Sequence, residues 1–401
     1  MKPPKTRLDP PRFVTPHTPV NLSVRRCPVS REQASHRILI VLPGALGDIM
    51  MGSAILPALR DRYPDAHITW LAHSTALQAI EASPYVDEIL LWEGMYWKRK
   101  VRTFAWLSWF RAMLAFRREL RCRDYDIFIS LQADEWPSLA LGSGASVKIG
   151  VFDTFRRFFG DRKTRRYTRF YDFSYAFPNL PEHRIDQYLL CLDALGIQKP
   201  DDKRITLGYT KDDRAAADRF KAESGLGENE PFVLLVPMTS WYTKCWPGDG
   251  FVALGDTLAR RGHRVVLSGS PKEGESVRAL AERFEVPPII AAGQLCFRAS
   301  AALIDDAALV VCGDTGPMHA AVALGTPYVA LFGATSPAWY GPLAGHGTVL
   351  LHPVPCGPGD QKRCANTGDK FLLCMNLLTV EEVTDAALRL LESGVRGAAI
   401  R

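Results

Sequence analysis

Long apolar runs are missing from this 401-residue sequence. No stretch of about 18 residues stays free of both charge and helix-breaking residues, so no transmembrane span is expected. The most apolar segment, Ala320 to Ala334, is interrupted by Gly325, Pro327 and Gly333 and reads as a buried helix followed by a strand. Cysteine is sparse too: nine residues are too few for a disulfide scaffold in a chain of this length. Cys122, Cys191, Cys245 and Cys312 sit in apolar or mixed segments and read as reduced thiols. Cys356, Cys364 and Cys374 cluster, but their spacing does not match the paired cysteines of a zinc site, and a local structural role is the simpler reading. The N-terminus is basic yet lacks the apolar core of a secretory signal, so a cytoplasmic protein is expected.

What is present is ordinary in amount and uneven in placement. Hydrophobic residues make up 47% and charged residues 23% of the chain, enough for two soluble cores. The net charge of +6 is concentrated in the first half. Lys98, Arg99, Lys100, Arg102, Arg111, Arg117, Arg118, Arg121 and Arg123 crowd one stretch, and Arg156 to Arg169 holds a second basic cluster. Such a face suits an anionic partner: a phosphorylated glycolipid, a membrane surface or a nucleic acid. The basic runs carry no recognised nucleic-acid motif, so nucleic acid is not expected.

Residues 1–36 are rich in Pro, Arg and Ser without an apolar period, and read as a disordered arm. Order begins at Arg37. Ile38 to Leu42 fits a buried strand, and a helical pattern runs from about Asp48 to Tyr63, stopped by Pro64. Strands at His67–Leu71, Glu88–Leu91, Tyr125–Leu131 and Val147–Gly150 alternate with helical segments, which argues for a parallel sheet covered on both faces. The same grammar restarts after a charged linker near Lys199 to Arg204. Strands are predicted at Phe232–Val236, His263–Ser268, Leu309–Cys312 and Tyr328–Phe332, with helices from Phe251, Glu275 and Pro317. The expected domains are therefore 37–204, 205–378 and a C-terminal helix and tail, 379–401. That helix opens with Thr379 and Glu382 at capping-box spacing and stops near Gly394.

The chemistry-bearing motifs all fall where a strand meets a helix. Pro43-Gly44-Ala45-Leu46-Gly47-Asp48 follows the first strand; Gly44 and Gly47 let the backbone turn tightly and approach a ligand. Asp48 then starts a helix, where a carboxylate is also stabilised by the helix dipole with no further role. Gly313-Asp314-Thr315-Gly316-Pro317-Met318-His319 repeats the arrangement. Backbone N–H groups at that helix start, with the Thr315 hydroxyl, form a site for a diphosphate, and Pro317 needs no N–H there. Pro237-Met238-Thr239-Ser240, followed by Lys244-Cys245-Trp246-Pro247, offers hydroxyls and a point charge for phosphate. Glu273, just past Gly269-Ser270-Pro271, is placed to accept from ribose hydroxyls.

The order of these pieces resembles one family. Arg37-Ile-Leu-Ile-Val-Leu-Pro-Gly-Ala-Leu-Gly-Asp48 is similar to the opening of the lipopolysaccharide heptosyltransferases, glycosyltransferase family 9. Asp314-Thr-Gly-Pro-Met-His319, Ala323-Leu-Gly-Thr-Pro327 and Leu331-Phe-Gly-Ala-Thr-Ser-Pro337 resemble its most characteristic stretch, and Lys244-Cys245-Trp246-Pro247 also matches. The resemblance spans about residues 37 to 393. It implies an α/β protein of GT-B fold, two Rossmann-like domains whose parallel sheets face across a cleft. It also implies inverting transfer from a nucleotide-diphosphate sugar, typically ADP-heptose, to a glycolipid or glycan acceptor, with no cofactor and no required metal. By position, Asp48 is the general base and Lys244 holds the donor diphosphate. Glu273 contacts the nucleoside, while Thr239, Ser240, Asp314, Thr315, Gly316, Pro317 and His319 line the donor pocket. Domain closure would then assemble the site.

Two rival readings are a GT-B nucleotide-sugar epimerase and a non-catalytic nucleotide- or anion-binding protein. The segment from Trp92 to Arg123 departs from the family core. Trp106, Trp109, Met113, Phe116 and Leu120 share one helical face, with Arg111, Arg118 and Arg121 largely away from it. That helix fits either a membrane interface, peripheral on the inner leaflet, or the first domain's core.

Overall fold

The strand Arg37-Ile-Leu-Ile-Val41 is buried almost throughout, and unbroken apolar runs of this kind belong to strands covered on both faces. The computed structural model describes residues 12–14, 35–92, 106–133, 137–152, 167–176, 183–343 and 345–394. Contacts divide the chain into two compact units, Met1–Lys203 and Arg204–Arg401. The arm up to residue 36 lies outside the described residues apart from 12–14, 35 and 36.

The first unit holds β1 (Arg12–Val14), β2 (Arg37–Val41), β3 (His67–Ala72), β4 (Glu88–Leu91), β5 (Ile127–Ser130), β6 (Val147–Phe152) and β7 (Phe173–Ala176). They form one sheet in the order β1-β4-β3-β2-β5-β6-β7, and every neighbouring pair is parallel. Behind the edge strand β1, the order is that of a doubly wound Rossmann sheet, with its switch point between β2 and β5. The expected helix from Asp48 to Tyr63 is present in pieces: Leu46–Gly52, a 3-10 turn at Ser53–Ile55, and Leu56–Arg62.

The helix Trp106–Cys122 decides between the two readings of the aromatic segment for the residues that are described. Phe116 and Leu120 are buried, with Met113 packed beside them, in a core that includes Trp92, Tyr125 and Phe128. The Phe116 ring lies 4.7 Å from that of Trp92. This stripe is core, so it does not lie in a membrane interface; the side chains of Trp106 and Trp109 fall outside the described residues. The opposite face carries Arg111, Arg118 and Arg121 in the open, with Phe110 at 51% and Leu114 at 37% exposure. No described helix is long and apolar enough to cross a membrane.

Glu88, at the start of β4, ties this helix to the sheet. Arg123, just past the helix end, donates to both carboxylate oxygens of Glu88 at 2.7 and 2.8 Å and to Glu119 at 3.0 Å. His67 Nε2 lies 3.3 Å from Glu88 Oε2.

The second unit holds β8 (Phe232–Val236), β9 (Arg264–Leu267), β10 (Ile289–Ile290), β11 (Leu309–Gly313), β12 (Tyr328–Phe332) and β13 (Gly347–Leu351). Their order, β10-β9-β8-β11-β12-β13, is again the doubly wound one, parallel throughout, with the switch point between β8 and β11. The helix Val380–Ser393 covers one face with Val383, Ala386 and Ala387. Its N-cap Thr379 accepts from the Glu382 backbone N–H at 3.2 Å, and it ends at Gly394 with φ 59°, the left-handed stop that its sequence predicts. Trp246 anchors the loop that leaves β8. Its indole N–H donates to the Leu378 carbonyl at 2.9 Å, and its ring sits edge-on to Phe251, 5.1 Å away. Gly250 makes room for it, since a Cβ there would come within 2.6 Å of the indole.

Glu88 yields a pH prediction for the first unit. Burial alone would raise its pKa, but hydrogen bonds from His67 and Arg123 outweigh that and hold it at about 2, against an ordinary 4.5. Because the folded value is the lower one, the stabilisation is fully present above about pH 4.5 and is lost as pH falls toward 2. Glu88→Gln is expected to cost about 3 kcal/mol at neutral pH. In urea unfolding followed against pH, the gap between wild type and variant should close across that window; a pH-independent gap would refute the assignment.

Candidate functional site

In an open doubly wound sheet the loops at the switch point diverge and leave a crevice at the carboxyl ends of the strands. In the second unit those loops follow β8 and β11, and the sequence puts its two polar motifs there. The loop after β8 runs through Thr239 and Ser240 into a 3-10 turn, Tyr242–Lys244. The loop after β11 is Asp314-Thr315, which leads into the helix Gly316–Leu324.

The two loops are joined by charge. Lys244 Nζ lies 2.7 Å from Asp314 Oδ2, and the side chains are only 13% and 7% exposed. The same carboxylate oxygen accepts from the Thr335 hydroxyl at 2.7 Å. Thr335 is buried just beyond β12. The Lys244 ammonium also sits 4.4 Å from the centre of the Trp241 ring, a cation–π contact. Glycine is required at 313 because a Cβ there would come within 2.7 Å of the Lys244 carbonyl oxygen. A buried charge needs a partner, and here each of the two charges is the other's.

The remaining residues of the predicted donor pocket take varied places. Thr239 donates its hydroxyl to the Trp241 carbonyl at 2.7 Å and thereby closes its own loop, while Ser240 is exposed. Thr315 is the N-cap of the helix Gly316–Leu324, extended at φ −153° and ψ 170°, and its hydroxyl makes no capping bond. Gly316 and Pro317 form the first turn, and Met318 N–H donates to the Thr315 carbonyl at 3.0 Å. His319 is buried within the next turn. Glu273 stands one strand over, past β9, and its carboxylate accepts from both the backbone N–H and the hydroxyl of Ser270 at 2.7 Å. The structure thus brings Lys244, Asp314 and the start of the Gly316 helix together, and engages Glu273 in its own loop. Thr335 and Trp241 were not read from the sequence as site residues. Thr335 lies in the recognised Leu331 to Pro337 stretch, but nothing in its spacing points back to Asp314.

In the first unit the switch-point loop after β2 carries Gly44, Gly47 and Asp48. Gly47 and Asp48 are the second and third residues of the helix Leu46–Gly52. Asp48 is half-buried, and its Oδ2 accepts from the Ala45 backbone N–H at 3.2 Å, so it does serve its own helix start. Gly44 permits the turn above it: a Cβ there would fall 2.9 Å from Asp48 Cβ.

Comparison with known proteins converges on one family. Residues 113–369, well over half of the chain, match glycosyltransferase family 9 (heptosyltransferase). Lipopolysaccharide heptosyltransferase 3 of Escherichia coli is 26% identical over 299 residues, which cover 74% of this chain and 83% of that protein. The crystal structure of the glycosyl transferase family 9 from Veillonella parvula superposes with a TM-score of 0.73 at 24% identity, covering 89% of this chain and 97% of that one. Heptosyltransferase WaaC of E. coli, solved with ADP, gives 0.65 at 21% identity and covers 90% and 100%. These likenesses show the fold, GT-B, built from the two Rossmann-ordered sheets described above. The family match, whose range takes in both Lys244 and Asp314, shows that this chain is a glycosyltransferase and belongs to family 9, the heptosyltransferases.

Proposed function

We propose that the chain is an inverting transferase that moves a heptose from ADP-heptose onto a lipopolysaccharide-core or related glycan acceptor. The observation that carries this reading is the Lys244–Asp314 pair beside the N-terminus of the helix Gly316–Leu324. A nucleoside diphosphate brings negative charge, and both the ammonium and a helix start attract it. WaaC, a structural neighbour, was solved with ADP, which supports adenosine as the nucleoside.

The chemistry follows from charge. As the acceptor hydroxyl attacks the anomeric carbon, its proton must leave, and the bond to the diphosphate breaks on the opposite face. One displacement inverts the centre and needs one base; Asp48 takes that proton. Negative charge develops on the departing ADP, where Lys244, the Thr315 hydroxyl and the Gly316 N–H stabilise it. Those groups supply what a divalent cation would, so no metal is required. Asp314, itself fixed by the Thr335 hydroxyl, holds the ammonium in place; with donor bound, Lys244 divides its bonds between Asp314 and phosphate. Ser240, Pro317 and His319 line the same pocket, and Glu273 releases Ser270 to accept from the ribose.

Thermal stabilisation by ADP, UDP and GDP tests the donor half. ADP alone should raise the midpoint by mass action. Lys244→Gln, which keeps a donor for Asp314 but not the charge, should weaken ADP about ten- to hundredfold. Asp48→Asn should leave ADP affinity intact and lower the transfer rate about 10²- to 10⁴-fold. A preference for UDP or GDP, or full transfer by Asp48→Asn, would overturn the assignment.

The acceptor would be met at the cytoplasmic face of the inner membrane. The outward face of the helix Trp106–Cys122, with Phe110 and Leu114 among Arg111, Arg118 and Arg121, suits an anionic lipid surface. Flotation with vesicles containing anionic lipid should carry the protein upward, and Arg111→Glu with Arg118→Glu should abolish it. Equal flotation with neutral vesicles would contradict this docking.

A further inference from the structure

The transfer chemistry leaves one cluster of reactive groups unused. Cys356, Cys364 and Cys374 line a single cavity together with Thr243, Gly333 and Asn366. All three are free thiols, Cys356 exposed and the other two partly buried. Two of the sulfurs accept hydrogen bonds: Asn366 Nδ2 donates to Cys356 at 3.1 Å, and Leu372 N–H donates to Cys364 at 3.4 Å. Cys374 lies deeper, against β12, where a Cβ on Gly333 would be 3.0 Å from its sulfur. Among the described residues, no group of three or more His, Cys, Asp or Glu has the arrangement of a metal site.

This thiol loop is fastened to the donor site at both ends. Thr243, next to Lys244, donates its hydroxyl to the Gln361 carbonyl at 2.7 Å. The Cys364 N–H donates to the Tyr242 hydroxyl at 2.9 Å, and the Tyr242 ring stacks on Phe371, 6.3 Å between centres. The Lys362 ammonium lies 4.8 Å from the Trp241 ring that also receives Lys244. On the other side, the N–H groups of Gly359 and Asp360 both donate to the Ala334 carbonyl, at 3.1 and 2.9 Å, one residue before Thr335. Every one of these contacts from the loop to the Lys244 turn lies between Cys356 and Cys374.

We propose that Cys356 and Cys374 form a reversible disulfide that lowers donor affinity by pulling on the Lys244 turn, an effect that rests on the donor assignment above. Cys356 is the sulfur that an external oxidant reaches, and the Asn366 amide donates to it. It attacks a low-molecular-weight disulfide, forms a mixed disulfide and releases one thiolate. Cys374 then loses its proton and attacks the Cys356 sulfur, expelling the second thiolate. Two protein thiols are oxidised, the external disulfide is reduced by two electrons, and the two protons end on the released thiols. Burial, and then the neighbouring Cys356 and Cys364 sulfurs, push the Cys374 thiol up from its ordinary range. A solvent-accessible attacking thiol beside a resolving cysteine is the arrangement of redox-sensing cysteines.

The test equilibrates the full chain with reduced or oxidised glutathione, alkylates free thiols, maps linked peptides by mass spectrometry and titrates ADP calorimetrically in each state. The oxidised protein should show a Cys356–Cys374 link, reversed by dithiothreitol, and ADP should bind about five- to tenfold more weakly. Cys356→Ser and Cys374→Ser should lose both effects, and Cys364→Ser should keep both. A link through Cys364, glutathione adducts without a link, thiols that alkylate only after a chelator, or a link with unchanged ADP affinity would each overturn the proposal. ADP that fails to bind even the reduced protein would instead sink the donor reading and, with it, the affinity half of this one; the peptide map still judges the disulfide.

Discussion

A lysine and an aspartate, both nearly buried, meet across the switch point of the second sheet, and the local architecture is arranged around that pair. Removing two charges from water is costly, and the cost is offset only when they meet at close range with further hydrogen bonds. Lys244 and Asp314 are 2.7 Å apart, and Thr335 supplies a further bond to the same oxygen. The demand reaches the backbone: Gly313 must lack a side chain so that the Lys244 carbonyl can approach, and Trp246 must bury its indole so that the turn before it stays in place. Loops after β8, β11 and β12 are thereby fixed to one another by a single carboxylate.

A pair of this kind is a poor stabiliser and a good receptor. Replacing it with apolar residues would cost the fold little, so its presence is better explained by what the ammonium can do next. Next to the start of the Gly316 helix it offers an anion a charge and the backbone N–H of Gly316 in one place. Asp48 illustrates the same economy in the first unit. Its bond to the Ala45 N–H satisfies a helix start, and that bond orients a half-buried carboxylate at the carboxyl end of β2. The helix-start bond therefore does not compete with the base role proposed for Asp48, since one carboxylate has room for both.

Much of this was legible in the sequence, for physical reasons. Both sheets announce themselves as short buried β-branched runs, and glycine and proline mark the strand ends, so the places of Asp48, Lys244 and Asp314 in the fold could be read from the sequence. What was missed lacked such signals. β10 is two residues long, and β13, Gly347–Leu351, is a half-exposed edge strand. The helix Lys211–Glu223 is so charged that its buried side, mainly Ala217 and Phe220, gives little period to read, although Thr210 and Asp213 form its capping box. The stripe Met113-Phe116-Leu120 has the same pattern whether it faces lipid or a sheet; only the packing on Trp92 and Tyr125 decides. Thr335 reaches Asp314 across 21 residues of sequence, a contact that no local pattern encodes.

The most direct test of the donor site is amide hydrogen exchange with and without ADP. Binding at the second switch point should slow exchange in Thr239 to Trp246 and Gly313 to His319, and Lys244→Gln should reduce that protection at the same ADP concentration. ADP that binds while leaving both segments unchanged would contradict the central claim and move the donor site elsewhere in the chain.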